Sequence, residues 1–194
     1  MGEFFTPIPL ARLIVLESYT VGDRLLDPAC GTGTFLIEAI NQVFRCKTKN
    51  SELWQCLEKI QGVEINPITA VVAKLNILIY ILQKLASKSN FKPRLFNIDK
   101  FNEIVKNIIT GDFLSDIQKF RKYDIIIGNP PWQVINGICS LKYKEFLKRL
   151  AKKKGIGVST QNISNLEISS LFLTKSVDYL KEEGKIGFVL SAGF

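Results

Sequence analysis

The 194-residue sequence predicts an α/β fold built on an open, doubly wound and mostly parallel sheet. Strand-like apolar runs alternate with helix-like segments along the whole chain. The isoleucine-rich runs are continuous rather than alternating, which indicates strands covered on both faces, as in a parallel sheet flanked by helices. Glycine and proline mark the joins between these segments. Because no repeat or linker-like stretch interrupts the pattern, residues 1–194 are interpreted as one domain.

Five short strands are predicted from runs rich in Leu, Ile and Val. Each run is followed by a glycine, a polar residue or a helix-like segment. The predicted strands lie in DRLLD (23–27), KIQGVEI (59–65), IVKNIIT (104–110), YDIIIGN (123–129) and KIGFVLS (185–191).

Helices are predicted where apolar residues recur every three or four positions. A proline near the first turn, an asparagine cap or a glycine after the last turn supports their limits. These helices cover 10–19, 35–44, 67–86 and 169–183, and the last is expected to stop at Gly184. Residues 87–103 and 133–165 fit no element and are interpreted as loop insertions.

The composition narrows the possible functions. Lys and Arg number 26 against 18 acidic residues, which favours an anionic partner, with nucleic acid ahead of membrane. The chain has no histidine, which excludes Ser-His-Asp hydrolysis and removes the commonest zinc ligand, so no metal site is predicted.

The four cysteines form no C-x-x-C pair and no basic-then-apolar leader is visible, so a reduced, cytoplasmic setting is expected. Residues 71–86 are apolar but contain Lys74 and Asn76, which favours a core helix over a membrane span.

Polar side chains close four of the predicted strands, where ligands of open α/β sheets bind. In DPACGTGTF (27–35), Gly31 and Gly33 allow a tight turn just before a helix. A nucleotide-like ligand is therefore predicted. Because Leu36 stands where the G-x-G-x-x-G pattern has its last glycine, a pyrophosphate cofactor is disfavoured. The four strand-end residues are Asp27, Glu64, Asp112 and Asn129.

Two of these acids suit a nucleoside. Glu64 can accept hydrogen bonds from both ribose hydroxyls, and Asp112 can accept one from an adenine amino group, with Phe113 packing on the ring. Each feature alone has a plain structural explanation, either a glycine turn or a solvated strand end. Their occurrence on successive strand ends favours a shared binding site.

The segment DIIIGNPPW (124–132) carries the candidate chemistry. The Asn129 side-chain oxygen and the Pro130 carbonyl can each accept one hydrogen of an exocyclic amino group, so that the nitrogen lone pair points at an incoming methyl group. Pro130 and Pro131 restrict the backbone and hold the carbonyls in one direction. Trp132 can stack on a base swung out of its helix. The structural alternative is a rigid strand exit with a core tryptophan.

These segments together resemble the N6-adenine-specific DNA methyltransferases, specifically the catalytic domain of restriction-modification enzymes. The similarity covers nearly the whole chain and implies a Rossmann-like S-adenosylmethionine-dependent methyltransferase fold. Such enzymes continue into further strands and a target recognition domain, so the resemblance implies a domain truncated at its C-terminus. The similar segments are EFFTPIPLARLIV (3–15), DPACGTGTF (27–35), GVEINP (62–67), GDFL (111–114), NPPW (129–132) and GKIGFVLSAGF (184–194).

The resemblance implies S-adenosylmethionine as the cofactor and double-stranded DNA as the partner. Recognition of a DNA sequence would require the missing C-terminal region or a specificity or restriction subunit. Cofactor positions are implied for Thr6, Pro7, Asp27, Ala29, Gly31, Gly33, Glu64, Ile65, Asp112 and Phe113. Positions that hold the target adenine are implied for Asn129, Pro130, Pro131 and Trp132.

Other interpretations stay open at this point. An N-P-P-aromatic segment also serves methyltransferases that act on a guanine N2 in RNA or on a protein glutamine. A truncated, non-catalytic subunit that only binds cofactor or DNA is a further alternative.

The segment LKYKEFLKRLAKKKG (141–155), with seven basic residues and one acid, is interpreted either as a phosphate-binding helix or as a solvated helix face. Cys30 and Cys139 are interpreted as structural, because neither follows a proline as a covalent cytosine mechanism would require.

Overall fold

The structure is a computed structural model that describes residues 6–46, 49–87, 98–115, 121–156 and 163–191. Within them, five strands form one parallel sheet in the order β3-β2-β1-β4-β5. Because this order reverses between β1 and β4, the sheet is doubly wound and the predicted fold class is confirmed. The strands are β1 (Leu25–Asp27), β2 (Ile60–Glu64), β3 (Ile108–Thr110), β4 (Tyr123–Gly128) and β5 (Leu180–Phe188).

Helices cover both faces of the sheet. Alternate strand residues point to opposite faces, so Leu25 and Ile125 join one apolar cluster while Leu26 and Ile126 join another. Side chains of α1 to α5 complete the first cluster, and those of α6 and α7 complete the second. These helices are α1 (Ile8–Ser18), α2 (Thr34–Arg45), α3 (Asn50–Leu57), α4 (Pro67–Ala86), α5 (Ile98–Lys106), α6 (Leu141–Lys153) and α7 (Ile168–Val177), with a 3₁₀ turn at Ile135–Gly137.

Helix α4 begins where the sequence predicts. The Asn66 side chain accepts hydrogen bonds from the N–H groups of Ile68 (2.9 Å) and Thr69 (3.4 Å), and Pro67 occupies the first turn. Its 20 residues are long and apolar enough to cross a bilayer by length and composition. One side of the helix nevertheless packs into the first cluster, as expected of a core helix, while the other side stays exposed. The buried side chains are Ala70, Ala73, Ile77, Ile81 and Leu85.

The interpretation of 87–103 and 133–165 as loop insertions is wrong in part, and its portions at 88–97 and 157–162 lie outside the described residues. Residues 98–103 belong to α5, which buries Phe101 and Ile104. The same helix includes 104–106, so the strand predicted over 104–110 begins only at Ile108. Residues 141–153 form α6, which buries Leu147 and Ala151. In both helices only two residues are fully buried, because a helix that covers the edge of a core buries only a narrow side.

The boundary between the last helix and the last strand also differs from the prediction. Helix α7 ends at Val177, and β5 already begins at Leu180. Gly184 lies inside β5 and not after a helix, and Glu183 adopts a left-handed φ of 63° where the pairing with β4 shifts register. An irregular strand carries charged residues that resemble the end of an amphipathic helix, which explains the error.

Candidate active site

The carboxyl ends of β1 and β4 meet at the point where the strand order reverses. They approach so closely that a Cβ added at Gly128 would lie 2.6 Å from the Asp27 Oδ1 atom. Asp27 is followed by the glycine loop, and Gly128 is followed by Asn129. The fold therefore brings the two predicted functional segments side by side at the position where doubly wound sheets bind ligands.

The glycine loop turns the chain from β1 into α2. Gly31 and Gly33 have φ angles of 54° and 95°, a region that residues with a Cβ rarely adopt. A Cβ added at Gly31 would meet no heavy atom within 4 Å, so the loop faces open space there. Gly33 is the residue before α2, whose amino end carries the positive end of the helix dipole.

Glu64, at the end of β2, is bound to this loop. Its Oε2 atom accepts a hydrogen bond from the Gly31 N–H at 3.0 Å, and its Oε1 atom accepts one from the Asn66 N–H at 2.8 Å. A carboxylate has about four lone-pair positions, so about two stay available for other donors. These backbone contacts hold Glu64 beside the loop while leaving it able to accept hydrogen bonds from ribose hydroxyls.

Asp27 is almost fully buried. Its Oδ1 atom accepts a hydrogen bond from the Ala29 N–H at 3.1 Å, whereas its Oδ2 atom has no hydrogen-bond partner among the described residues. Burial raises the pKa of Asp27 to about 8, an effect that the Ala29 N–H opposes and the Glu64 charge reinforces. A buried carboxyl with an unused oxygen favours a ligand that brings a hydrogen-bond donor or a positive charge.

Asp112 follows β3 and is held from two sides. Its Oδ1 atom accepts a hydrogen bond from the Leu114 N–H (2.9 Å), and its Oδ2 atom accepts one from the Tyr143 hydroxyl of α6 (3.0 Å). Burial and the Asp112 charge raise the pKa of Tyr143, so its hydroxyl stays protonated as the donor. Tyr143 was not among the predicted site residues, although its spacing from Leu147 and Ala151 marks the inner side of a helix.

Phe113 and Lys175 support the loop that carries Asp112. The Phe113 ring is 1% exposed and packs against Phe172 at 5.5 Å between ring centroids. It therefore has almost no free surface in this structure, and its contact with a cofactor adenine stays a prediction. Lys175 of α7, 2% exposed, donates to the carbonyls of Leu114 (2.8 Å) and Ser115 (3.1 Å), a support that sequence reasoning did not identify.

The NPPW segment leaves β4 along the carboxyl end of β5. Asn129 and Trp132 are half-buried, Pro130 is buried and Pro131 is exposed. The indole N–H of Trp132 donates to the Val189 carbonyl at 3.2 Å, and the Val189 N–H donates to the Gly128 carbonyl at 3.0 Å. The tryptophan is thus bound to the end of the sheet without being sealed in the core.

The remaining predicted residues lie around this edge. Ala29 is half-buried in the glycine loop, and Ile65, directly after Glu64, is 61% exposed. Thr6 and Pro7 precede α1, and neither forms a hydrogen bond with another predicted site residue in the described part of the chain.

A cavity of about 610 Å³ lies at the opposite, amino-terminal edge of the sheet. It is lined by side chains just before or at the start of the strands, among them Arg24, Lys59 and Tyr123. None of the predicted site residues lines it. The glycine loop, the helix amino termini and the NPPW segment all lie at the carboxyl edge, so we place the candidate active site there and not in this cavity.

The sheet order, with a glycine loop and acids at the strand ends, defines a Rossmann-like α/β protein. Solved structures share this fold. The chain superimposes with a TM-score of 0.69 and 18% identity on a nuclease-deletion mutant of the Type ISP restriction-modification enzyme LlaGI in complex with a DNA substrate mimic, covering 97% of this chain and 18% of that one. It superimposes with a TM-score of 0.59 and 21% identity on the M protein of the Type I restriction enzyme EcoKI, covering 96% of this chain and 33% of that one.

The chain belongs to the N-6 DNA methylase family, whose model matches residues 1–194. It is 32% identical over 132 residues to the methylase subunit of the Type I restriction enzyme MjaVIII of Methanocaldococcus jannaschii, which covers 68% of this chain and 20% of that protein. It is 28% identical to the Type II methyltransferase M.VspI of Vibrio sp. strain 343, over 100% of this chain and 38% of that protein. The chain thus spans between about a fifth and two fifths of these relatives.

Proposed function

We propose that the chain is the catalytic domain, over residues 1–194, of a DNA methyltransferase that modifies adenine N6 in a restriction-modification system. The observation that carries this proposal is the close approach of Asp27 to Gly128, which joins the glycine loop to the NPPW segment at the switch point of the sheet. Membership of the N-6 DNA methylase family supports it.

The cofactor proposed for this site is S-adenosylmethionine, which supplies an electrophilic methyl group on its sulfonium sulfur. The residues fit such a group, because the buried Asp27 Oδ2 atom lacks a partner within the described chain and the loop at Gly31 faces open space. Glu64 would hold the ribose hydroxyls, and Asp112 would hold the adenine amino group. Other cofactor contacts are proposed for Thr6, Pro7, Ala29, Gly33, Ile65 and Phe113.

The catalytic work proposed for this chain is the orientation of an amino group. The Asn129 side-chain oxygen and the Pro130 carbonyl accept the two amino hydrogens, which directs the nitrogen lone pair outward and stabilises the positive charge that develops on nitrogen. Pro131 keeps the segment rigid, and Trp132, held through its bond to Val189, stacks on the displaced base.

The names of the relatives also support proposals about the partners and the substrate of this chain. The MjaVIII relative is named as a subunit, and the fold neighbour LlaGI was solved with a DNA substrate mimic. We propose a cytoplasmic protein that acts on double-stranded DNA, with sequence recognition supplied by a further region of the polypeptide or by a specificity or restriction subunit. Such a partner is needed because phosphate and base-pocket contacts alone do not read a DNA sequence.

Asn129→Ala tests the proposal. Methyl transfer to duplex DNA is expected to fall by about 100-fold or more, because one of the two preorganised acceptors is lost. Cofactor affinity, measured by isothermal titration calorimetry, is expected to stay unchanged, and Asn102→Ala on the exposed side of α5 serves as the matched control. Duplex DNA, RNA and a glutamine-containing peptide are compared as methyl acceptors. Activity that survives in Asn129→Ala, or a preference for RNA or peptide, contradicts the assignment, and cofactor binding without any transfer indicates a non-catalytic binding domain.

A further inference from the structure

Helix α6 concentrates the positive charge of the chain. Its 13 residues contain six Lys or Arg and one Glu, a net five charges out of the chain's +8. The rest of the chain is therefore nearly balanced. A partner attracted by charge would be drawn to this helix more than to any other part of the sequence.

The cations of α6 are arranged on one side of the helix. Lys142, Arg149 and Lys153 are separated by seven and four residues, which places them along a single face opposite the buried Leu147 and Ala151. All three are exposed, and none forms an ion pair or side-chain hydrogen bond within the described residues. We call these three residues the α6 basic face. Cations that carry no intramolecular partner stay available for an external anion.

Two other basic residues of the same helix are already engaged, whereas Lys152 is exposed and lies to one side of the α6 basic face. Lys148 pairs with Glu145 at 3.1 Å, and Lys144 donates to the Asn136 carbonyl at 2.9 Å. Lys154, just after the helix, pairs with Asp178. The fold thus engages Lys144, Lys148 and Lys154, and it leaves the three residues of the α6 basic face unpaired within the described chain.

The α6 basic face begins beside the candidate active site. Tyr143, next to Lys142, donates to Asp112 at the carboxyl edge of the sheet, whereas Lys154 reaches Asp178, just before β5 starts at the opposite edge. The helix therefore runs from the candidate site down the flank of the domain. From Lys142 to Lys153 it rises about 16 Å, and one DNA strand places about five phosphates along such a length.

We propose that the α6 basic face binds the phosphate backbone of duplex DNA that flanks the target base. This inference rests on the proposed function, because it takes the DNA substrate from there, and it assigns the backbone contact to three named residues. The spacing and the missing partners of these cations match a row of phosphates. Apart from Leu141 at its first residue, the exposed side of the helix has no large apolar group, so an anionic membrane is the weaker match.

The test compares two triple variants with the same change in net charge. Lys142→Gln, Arg149→Gln and Lys153→Gln remove the α6 basic face. Arg45→Gln, Lys49→Gln and Lys84→Gln remove three cations near α2 and α4, on the other side of the sheet. Binding of a fluorescein-labelled 20-base-pair duplex is measured by fluorescence anisotropy between 50 and 200 mM KCl, and cofactor binding is measured by calorimetry.

The α6 variant is expected to bind the duplex at least about tenfold more weakly at low salt, and the slope of log affinity against log salt is expected to fall by about 2 to 3. The control variant is expected to lose much less, and both variants should bind cofactor as the parent does. Equal losses in the two variants, no loss in the α6 variant, or no duplex binding by the parent would overturn the proposal. So would a loss of binding to phosphatidylserine vesicles without a loss of duplex binding.

The outcome separates this proposal from the proposed function. If the parent binds duplex through α6 but transfers no methyl group, the α6 basic face stands while the proposed activity fails. If the parent transfers methyl groups and the α6 variant does so with the same KM for DNA, the activity stands while the α6 basic face fails.

Discussion

Asp27 combines deep burial with a position at the candidate active site. Its carboxyl lies between the glycine loop and Gly128, with one oxygen bound to Ala29 and the other without a partner in the described chain. Burial favours the uncharged form of the carboxyl and raises the pKa of Asp27 to about 8 in the folded protein. A donor or cation placed against this carboxyl would stabilise the charged form and release the carboxyl proton.

We expect Asp27 to make the protein less stable as the pH rises. Below about pH 4 the carboxyl is protonated in both states, but between about pH 4 and 8 only the unfolded chain loses its proton, so the free energy of unfolding falls across this window. Asp27→Asn removes this contribution. Urea unfolding at pH 5, 6, 7 and 8 should show a shallower decline for the variant than for the parent. Identical slopes would mean that Asp27 ionises at its ordinary pKa in the folded protein.

The contact between α6 and the loop after β3 is the clearest link between elements at the site. Tyr143 reaches from the first turn of a basic helix to Asp112, and its ring stacks on Phe146 of the same helix at 5.7 Å. The helix thereby fixes the orientation of the acid proposed to bind the cofactor adenine. It also connects the α6 basic face to the cofactor side of the site through one hydrogen bond.

Tyr143→Phe removes the hydroxyl and keeps the ring. The dissociation constant for S-adenosylmethionine is expected to rise about three- to tenfold, because a single hydrogen bond that orients a carboxylate contributes about 1 kcal/mol. Calorimetric titration with S-adenosylmethionine measures this dissociation constant. Tyr80→Phe, at a half-buried tyrosine of α4, is the matched control and should leave the constant unchanged. An unaltered constant in Tyr143→Phe would show that Asp112 needs no support from α6.

The whole molecule is organised as two apolar clusters separated by the sheet. The second cluster contains a charged residue, Lys175, whose ammonium group lies 5.9 Å from the Phe113 ring centroid and binds the carbonyls of Leu114 and Ser115. This lysine joins α7, next to β5 at one edge, to the loop after β3 at the other edge. The bond therefore links two segments whose strands, β5 and β3, lie at opposite edges of the sheet.

Lys175→Met tests this link. The free energy of unfolding is expected to fall by about 1 to 3 kcal/mol, since the two carbonyls lose their donor in a buried position. Urea unfolding followed by circular dichroism measures the change. Lys185→Met, at an exposed lysine of β5, should change stability by less than about 0.5 kcal/mol. A variant as stable as the parent would show that apolar packing replaces the lysine without cost.

Much of the fold follows from local patterns. The glycine loop, the Asn66 cap and the buried Ile run of β4 lie where the sequence predicts them, because turn geometry, capping and continuous burial depend on neighbouring residues. Helices α5 and α6 were interpreted as loops, since charged residues interrupt their apolar residues, although the spacing of Phe101 and Ile104 and of Leu147 and Ala151 is helical. The start of β5 was misplaced, because an irregular charged strand and a helix end have similar composition.

The sequence by itself determined the α/β class and the residues at the strand ends, because each motif is a short stretch whose chemistry can be read without its neighbours in space. Only the tertiary structure decided that Asp27 lies against Gly128, that Tyr143 supports Asp112 and that Lys175 supports the same loop. These partners are separated by 31 to 101 positions in the chain, and no short sequence pattern contains both members of a pair. Their contacts arise from the order of the strands and from burial on both faces of the sheet.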